Sequence, residues 1–114
     1  MVSLQQVQAG AARYLDAEML PKLDGWRKWI AGAVAVEYLS KIEEIAETLK
    51  KHPAISMLGV IKEDNTVDLE HLREVFIRQA RASGDITFNV PMLGAMTIGE
   101  KDIDTLYRYI MGGV

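Results

Sequence analysis

The sequence predicts a mainly helical α+β domain, with a long N-terminal helical hairpin followed by two shorter helices and a small antiparallel β-sheet. In the N-terminal half, apolar residues recur at the three-and-four spacing of a helix face. Between Ile86 and Val90, apolar and polar residues alternate, which is the period of a half-buried strand. A near-repeat then marks the C-terminal half, where Met57–Ile61 returns as Met92–Met96 and each copy leads to an amphipathic helix.

Length and composition are those of one globular domain covering residues 1–114, with 49% hydrophobic and 25% charged residues. The absence of cysteine fits a reducing compartment, so we expect a cytoplasmic protein. A net charge of −3 provides no positive excess for nucleic acid. The longest uncharged apolar stretch, Trp29–Val36, falls far short of the ~20 residues that span a bilayer, so no membrane insertion is expected.

The first helix is expected to begin at Ser3, with Gln6 completing a capping box. Its apolar face comprises Leu4, Val7, Ala11, Tyr14, Leu15 and Met19. Gly10 costs this helix about 1 kcal/mol relative to alanine unless another element packs against it. Pro21 ends the helix, and the short connector that follows predicts an antiparallel second helix.

The second helix is predicted from about Gly25 to Lys51, with Asp24 as its N-cap. Its first half, Trp29–Val36, is apolar on every face. A helix of this kind must be surrounded by other elements, so we expect it at the centre of the fold. Small residues such as Gly32 and Ala35 would let other backbones approach closely.

His52 and Pro53 end the second helix, because the residue before a proline disfavours the helical conformation. Pro53 opens a short turn through Leu58 that Gly59 closes. The pairs Val60-Ile61 and Thr66-Val67 flank turn-forming residues and predict a small hairpin.

The third long helix is predicted from its cap, Asp68, to about Ser83, where Gly84 stops it. The apolar residues of this helix and of the last one should share one core; they are Leu72, Val75, Phe76, Ile103, Leu106 and Tyr107. Both sets stand at the same distance from a preceding threonine. The near-repeat therefore reflects either a duplication or two similar ways of passing from a strand into a helix.

The strand that begins at Ile86 should end at Pro91, and residues 95–98 should return as its partner. Thr97 with Glu100 forms a second capping-box pattern, which predicts the start of the last helix.

No catalytic constellation is visible, so we expect a protein that is not an enzyme and that needs no cofactor. The histidines are His52, at a helix end, and His71, in an acidic helix start. A calcium loop over residues 64–75 would need glycine and glutamate where Leu69 and Val75 stand. Several charged side chains are expected to face solvent: Glu43, Glu44, Glu47, Arg73, Arg78 and Arg81.

Two apolar segments are candidate interfaces. The first is the tip of the strand pair, comprising Val90, Pro91, Met92, Leu93 and Met96. The second is the apolar helix, with Trp29, Gly32, Ala35 and Val36. Each has an intramolecular alternative, since the tip could fold onto the helical hairpin and the helix could be buried within the chain.

The function expected from these observations is a non-enzymatic protein–protein interaction or assembly module that self-associates as a homodimer or larger, or that binds another protein. One alternative is a small regulatory domain that binds a ligand or a divalent metal through Asp64, Asp68, Glu70 and His71. A carboxylate-dependent enzyme is a further alternative. The general character of a short, acidic, cysteine-free chain also fits a phage or prophage protein of unknown role.

Overall fold

The structure, a computed structural model, describes residues 1–90 and 94–112, apart from the side chains of Phe88 and Val90. Within these residues it has the α+β, mainly α architecture that the sequence predicts. The α-helices are α1 (Leu4–Tyr14), α2 (Gly25–Ser40), α3 (Ile42–Lys51), α4 (Pro53–Leu58), α5 (Leu69–Ser83) and α6 (Glu100–Met111). The strands are β1 (Ile86–Val90) and β2 (Gly94–Ile98), paired antiparallel.

Helix α1 begins as predicted, with the Ser3 hydroxyl oxygen accepting a hydrogen bond from the Gln6 backbone N–H at 3.1 Å. The α-helical part ends earlier than the expected Met19. The chain continues as a π-helical stretch, Leu15–Met19, and a single 3-10 turn, Leu20–Lys22. Because Pro21 in that turn has no N–H to donate, the helix cannot continue through it.

Helix α1 packs closely against α6. A Cβ atom at Gly10 would overlap the Cα of Ile110, so the glycine permits the contact between the two backbones. The Gln6 side-chain amide donates to the Ile110 carbonyl oxygen at 3.2 Å. The rings of Tyr14 and Tyr109 meet edge to face, with centroids 5.9 Å apart. The sequence predicts that Gly10 weakens α1 unless another element packs against it, and α6 is that element.

The predicted second helix, Gly25 to Lys51, is wrong as a single element, because it breaks at Lys41 between α2 and α3. The Ser40 hydroxyl donates to the Glu37 carbonyl oxygen at 2.7 Å, a side-chain bond that competes with the regular helix pattern. Lys41 itself leaves the helical conformation, with φ −104° and ψ 20°.

Helix α5 follows the prediction, since the Asp68 carboxylate accepts from the His71 N–H at 3.2 Å and Gly84 ends the helix with φ 81°. Helix α6 starts at Glu100, two residues later than a cap at Thr97 would place it. The Gly99 N–H donates to the Asp102 carboxylate at 2.9 Å, so the predicted capping pair of Thr97 and Glu100 is wrong.

The near-repeat corresponds to similar helix starts and dissimilar strands. Helix α5 begins three residues after Thr66, and α6 begins three residues after Thr97. The hairpin expected around residues 60–67 is reduced to a single antiparallel bridge between Ile61 and Val67. Val67 also pairs with Val2, which ties the N-terminal segment to the middle of the chain.

The buried apolar residues form two clusters rather than one. The first comprises Val2, Leu4, Ala46, Val67, Leu69 and Ile110. The second comprises Ile77, Ala80 and Ile103, with Ile86 and Ile98 of the sheet packed against it. Helices α5 and α6 contribute to both clusters, so the two helices form the link between them.

Candidate interaction surfaces

Helix α2 is more apolar than α1, yet it contains no buried residue. Trp29 is 82% exposed and Val36 is 69% exposed, so the predicted central position of residues 29–36 is wrong. A helix apolar on all sides is buried only if enough elements surround it. Among the described elements, α2 has its main contacts with α1 and with the 3-10 turn.

The exposed residues of α2 include a regular row at positions 26, 29, 33 and 36. The intervals of three, four and three are those of a coiled-coil contact line. We call Trp26, Trp29, Ala33 and Val36 the α2 stripe. Its members are all apolar, so the stripe is an exposed hydrophobic line along the helix.

Away from the stripe, part of α2 is half-buried. The Gln8 side-chain amide donates to the Leu39 carbonyl oxygen at 2.8 Å and links α1 to α2. Ala35 is half-buried, as is Gly32, but a Cβ at Gly32 would meet no described atom within 4 Å. The close backbone approach predicted at Gly32 is therefore wrong for the described part of the chain.

A second apolar surface lies between the two buried clusters. It is an open cavity of about 380 Å³ bounded by α1, α5, α6 and the sheet, and we call it the apolar groove. Its lining residues are Val7, Ala11, Val67, Leu69, Leu72, Arg73, Phe76, Ile86, Ile98, Ile103, Leu106, Tyr107 and Ile110. None of the described residues of α2 lines it.

The charged group of the groove is neutralised by an ion pair. Arg73 Nε donates to Asp104 Oδ1 at 2.7 Å, and the guanidinium lies 5.4 Å from the centroid of the Tyr107 ring. The prediction that Arg73 faces solvent is therefore wrong, because it is half-buried between α5 and α6. A paired guanidinium leaves the groove without a free charge, which favours an apolar occupant.

Phe76 lies at the open side of this groove with 43% of its surface exposed. Its predicted place in a closed core with Leu106 and Tyr107 is wrong, although the three residues do line the same groove. Val75 is half-buried and does not line it. The two helices pack together at Ile77 and Ile103 and leave an open groove beside Phe76.

A second ion pair joins α5 to α6 at the surface. Arg81 Nη2 and Glu100 Oε1 are 2.6 Å apart; the Arg81 side chain is largely exposed and Glu100 is half-buried. The Arg81 hydrogen bonds hold the pKa of Glu100 below its ordinary value. Arg81 is exposed to solvent, as the sequence predicts, and it also forms this ion pair with Glu100.

The strand-pair tip lies mostly outside the described residues. This applies to Pro91, Met92, Leu93 and the side chain of Val90, so the tip hypothesis stays a prediction. Met96 is half-buried and lines a small cavity of about 110 Å³ together with Tyr14 and Met19.

The residues proposed as metal ligands have other roles in the structure. Asp64 accepts hydrogen bonds from the Thr66 N–H and hydroxyl, which lower the pKa of its carboxyl. Asp68 caps α5 through the His71 N–H. Within residues 1–90 and 94–112 no three histidine, aspartate or glutamate side chains are grouped to hold a metal ion.

Tyrosine and carboxylate side chains meet where α1 and the π-helical stretch contact α6. Burial raises the pKa of Tyr14, and the nearby carboxylates of Asp102 and Glu18 raise it further. The Tyr109 hydroxyl donates to Glu18 Oε1 at 3.0 Å. The Tyr109 contact joins α6 to the π-helical stretch that follows α1.

Sequence reasoning missed Trp26, Ala33 and the groove. The three-and-four spacing of Trp26 and Ala33 with Trp29 was available as a signal for the stripe. Nothing in the sequence distinguishes the groove from a filled core, because its lining residues are ordinary core types.

No protein-family model, curated protein or solved structure matches this chain. Among the helices that the structure describes, none combines the length and the apolar character needed to cross a bilayer.

Proposed function

We propose that this protein is a self-associating interaction module and that the α2 stripe is its contact surface. The observation that carries the proposal is the exposure of this stripe, with Trp26 at 57% and Trp29 at 82%. The two tryptophans alone leave roughly 300 Å² in water, given that a buried aromatic side chain covers 150–250 Å². Patches of this size on a monomer often mark interaction sites.

The composition of the stripe supports protein contact in particular. Tryptophan is enriched among the residues that dominate binding energy at protein interfaces. Ala33 lies between Trp29 and Val36, and its small side chain leaves room for a helix of a partner to approach closely. Helices in proteins gain most of their stability from packing, so a 16-residue helix without a buried residue gains from a partner.

The absence of cysteine supports a protein that works in a reducing compartment such as the cytoplasm. A regulatory domain for a small apolar ligand is the second candidate, because the volume of the groove falls within the 300–1,000 Å³ range of ligand sites. The metal-binding alternative has no comparable support.

The proposal predicts that Trp29→Glu weakens self-association by about 30-fold or more, the effect of removing one interface hot spot. The measurement is sedimentation velocity over a concentration series. Met57→Glu is the matched control, because Met57 is 88% exposed on α4, outside the stripe. It should change the dissociation constant less than about threefold, within the range of ordinary surface changes.

Circular dichroism should show the same helix content for both variants at low concentration, because each substitution is on an exposed position. A wild-type protein that remains monomeric at near-millimolar concentration would contradict the proposal. Equal weakening by the two variants would also contradict it, since it would indicate a general charge effect.

A further inference from the structure

We propose that the small cavity beside Tyr14 is a binding site for a small organic ammonium ion. This is the cavity of about 110 Å³ that Tyr14 lines together with Met19 and Met96, and we call it the Tyr14 cavity. It lies between the π-helical stretch and the 3-10 turn on one side and β2 with the start of α6 on the other. The proposal goes beyond self-association, because none of the described residues of α2 lines this cavity.

The first observation is a buried tyrosine whose hydroxyl has no described partner. Tyr14 is 9% exposed, and its ring packs edge to face on the ring of Tyr109. The Tyr109 hydroxyl donates to Glu18, whereas the Tyr14 hydroxyl forms no hydrogen bond with any residue among 1–90 and 94–112. A buried hydroxyl without a partner is costly, so a polar group of a ligand in the cavity would stabilise it.

The second observation is a carboxylate fixed in the wall of the same cavity. Asp102 Oδ2 accepts a hydrogen bond from the Gly99 N–H at 2.9 Å, which holds the side chain at the start of α6. Asp102 Oδ1 accepts no hydrogen bond from a described residue. Asp102 and Tyr14 both line the cavity, and no hydrogen bond joins their side chains. A donor group of a ligand placed between them would satisfy both oxygens.

The charge around the Tyr14 hydroxyl is negative. Burial raises the pKa of Tyr14, and the carboxylates of Asp102 and Glu18 raise it further, because a phenolate beside them would add a like charge. The same potential favours a cation in the cavity over a carboxylate or a neutral molecule. Lys22 lines the cavity as well, but it is exposed and forms no ion pair with a described residue, so it does not neutralise Asp102.

The size of the cavity and its other walls limit the ligand. Its volume of about 110 Å³ is less than the ~150 Å³ that hold one benzene molecule, so it accommodates about four or five non-hydrogen atoms. Several of the other wall residues are apolar: Met19, Leu23, Met96 and Ile98. A short alkyl chain fits beside these side chains while its ammonium group lies between Asp102 and Tyr14.

The π-helical stretch contributes one wall of the cavity. Its backbone hydrogen bond runs from the Leu20 N–H to the carbonyl oxygen of Leu15, five residues earlier. This wider turn brings Met19 to the side of the helix on which Tyr14 lies, whereas an α-helix would place the two residues about 140° apart. π-Helical turns are rare and occur frequently at functional sites, which agrees with a ligand site at this position.

The test is a titration of ¹⁵N-labelled wild-type protein with n-propylammonium chloride, followed by amide chemical shifts at pH 7. Propan-1-ol and sodium propionate are the matched controls, because they keep the alkyl chain and remove or reverse its charge. The proposal predicts saturable shifts at Met19, Thr97 and Asp102, with a dissociation constant of about 10 mM or lower, in the range open to so small a ligand. Propan-1-ol should bind at least about tenfold more weakly, because it lacks the charge-assisted hydrogen bonds.

Three substitutions test the assigned contacts. Tyr14→Phe and Asp102→Asn should each raise the dissociation constant at least about tenfold, because each removes a hydrogen bond to a charged group. Lys22→Gln should lower it about twofold, because the substitution removes a like charge from the open side of the cavity. Tyr107→Phe is the matched control and should change nothing, because Tyr107 is on α6 and does not line the cavity.

Equal affinity for the three compounds, or no saturable shift up to about 100 mM n-propylammonium, would overturn the proposal. Equal affinity of Tyr14→Phe and wild type would overturn it as well, because the hydroxyl would then not contact the ligand. Tighter binding of propionate that is lost in Lys22→Gln would overturn the ammonium site and assign the cavity to an anion. Each of these outcomes leaves self-association unaffected, because that is measured separately by sedimentation.

Discussion

Helices α1 and α2 are neighbours in sequence and differ sharply in how they are packed. Helix α1 approaches α6 so closely that Gly10 leaves no room for a Cβ, and Tyr14 is buried there. Helix α2 is more apolar, but its glycine, Gly32, has open space around it and its tryptophans lie in water. The apolar content of a helix therefore does not decide its burial within the chain.

The difference lies in what the rest of the chain offers to each helix. Helix α1 has one complementary surface, on α6, and a side-chain hydrogen bond that fixes the two helices together. Among the described residues, no element offers α2 a surface comparable to the one that α6 offers α1. Apolar residues in excess of the available partners are an indication of assembly, because water is a poor environment for them.

The sharpest test of this contrast replaces each glycine by alanine. Gly10→Ala should cost about 2–3 kcal/mol in the free energy of unfolding, because the new methyl group meets backbone atoms of Ile110. Gly32→Ala should instead stabilise by about 0.5–1 kcal/mol, because alanine favours the helix and meets no described atom. Urea denaturation at low protein concentration measures both.

Equal effects of the two alanines would show that α1 and α2 are packed alike and would remove the contrast. A loss at Gly32 that appears only at high protein concentration would have a different meaning. It would place Gly32 inside the interface between copies.

The next prediction concerns the boundary between the tightly packed region and the open groove. Phe76→Ala should cost about 1–2 kcal/mol, less than the 3–5 kcal/mol typical of a fully buried phenylalanine, because 43% of the side chain is already exposed. Leu69→Ala, at a residue on the same helix that is 8% exposed, should cost about 3 kcal/mol. Thermal and urea unfolding in the monomeric range provide the comparison. A larger loss at Phe76 than at Leu69 would mean that the groove is closed.

The smallest effect is expected where α5 meets α6 at the surface. The pKa of Glu100 is lowered from its ordinary value of 4.5 by Arg81, so its contribution to stability is present above pH 4.5 and is lost as the pH falls further. Wild type should therefore be slightly more stable than Glu100→Gln at pH 7, and the difference should shrink towards pH 3. Exposure of the pair keeps the gain small.

Glu74→Gln is the matched control, because Glu74 forms no ion pair among the described side chains. Stability measured by urea titration at several pH values should show no such pH-dependent difference for this variant. If Glu100→Gln and Glu74→Gln have the same profile, the ion pair contributes nothing to holding the two helices together.

The sequence predicted those elements whose signals are local. Asp68 and Gly84 bracket α5 because a cap and a left-handed glycine act over one helical turn. The break at Lys41 was missed because it depends on whether the Ser40 hydroxyl bonds back to the helix or faces outwards. Sequence pattern alone does not determine that choice.

The candidate surfaces show the same limit. The apolar stretch that contains Trp29 was identifiable, but its burial depended on which elements lie nearby in space. The groove was not identifiable, because residues such as Leu72 and Ile103 are found equally in filled and unfilled cores. Pairing of Arg73 with Asp104 also required the spacing of two helices that are far apart in sequence.

The contact between α1 and α6 has a consequence for how the protein is made. The hydrogen bond from Gln6 to Ile110 joins residues 104 positions apart, so α6 is synthesised after every other described element. Until α6 has been synthesised, the face of α1 around Gly10 lacks the surface on α6 that it packs against, and the first buried cluster cannot include Ile110. Closing so long a loop makes this step slower than the formation of any single helix.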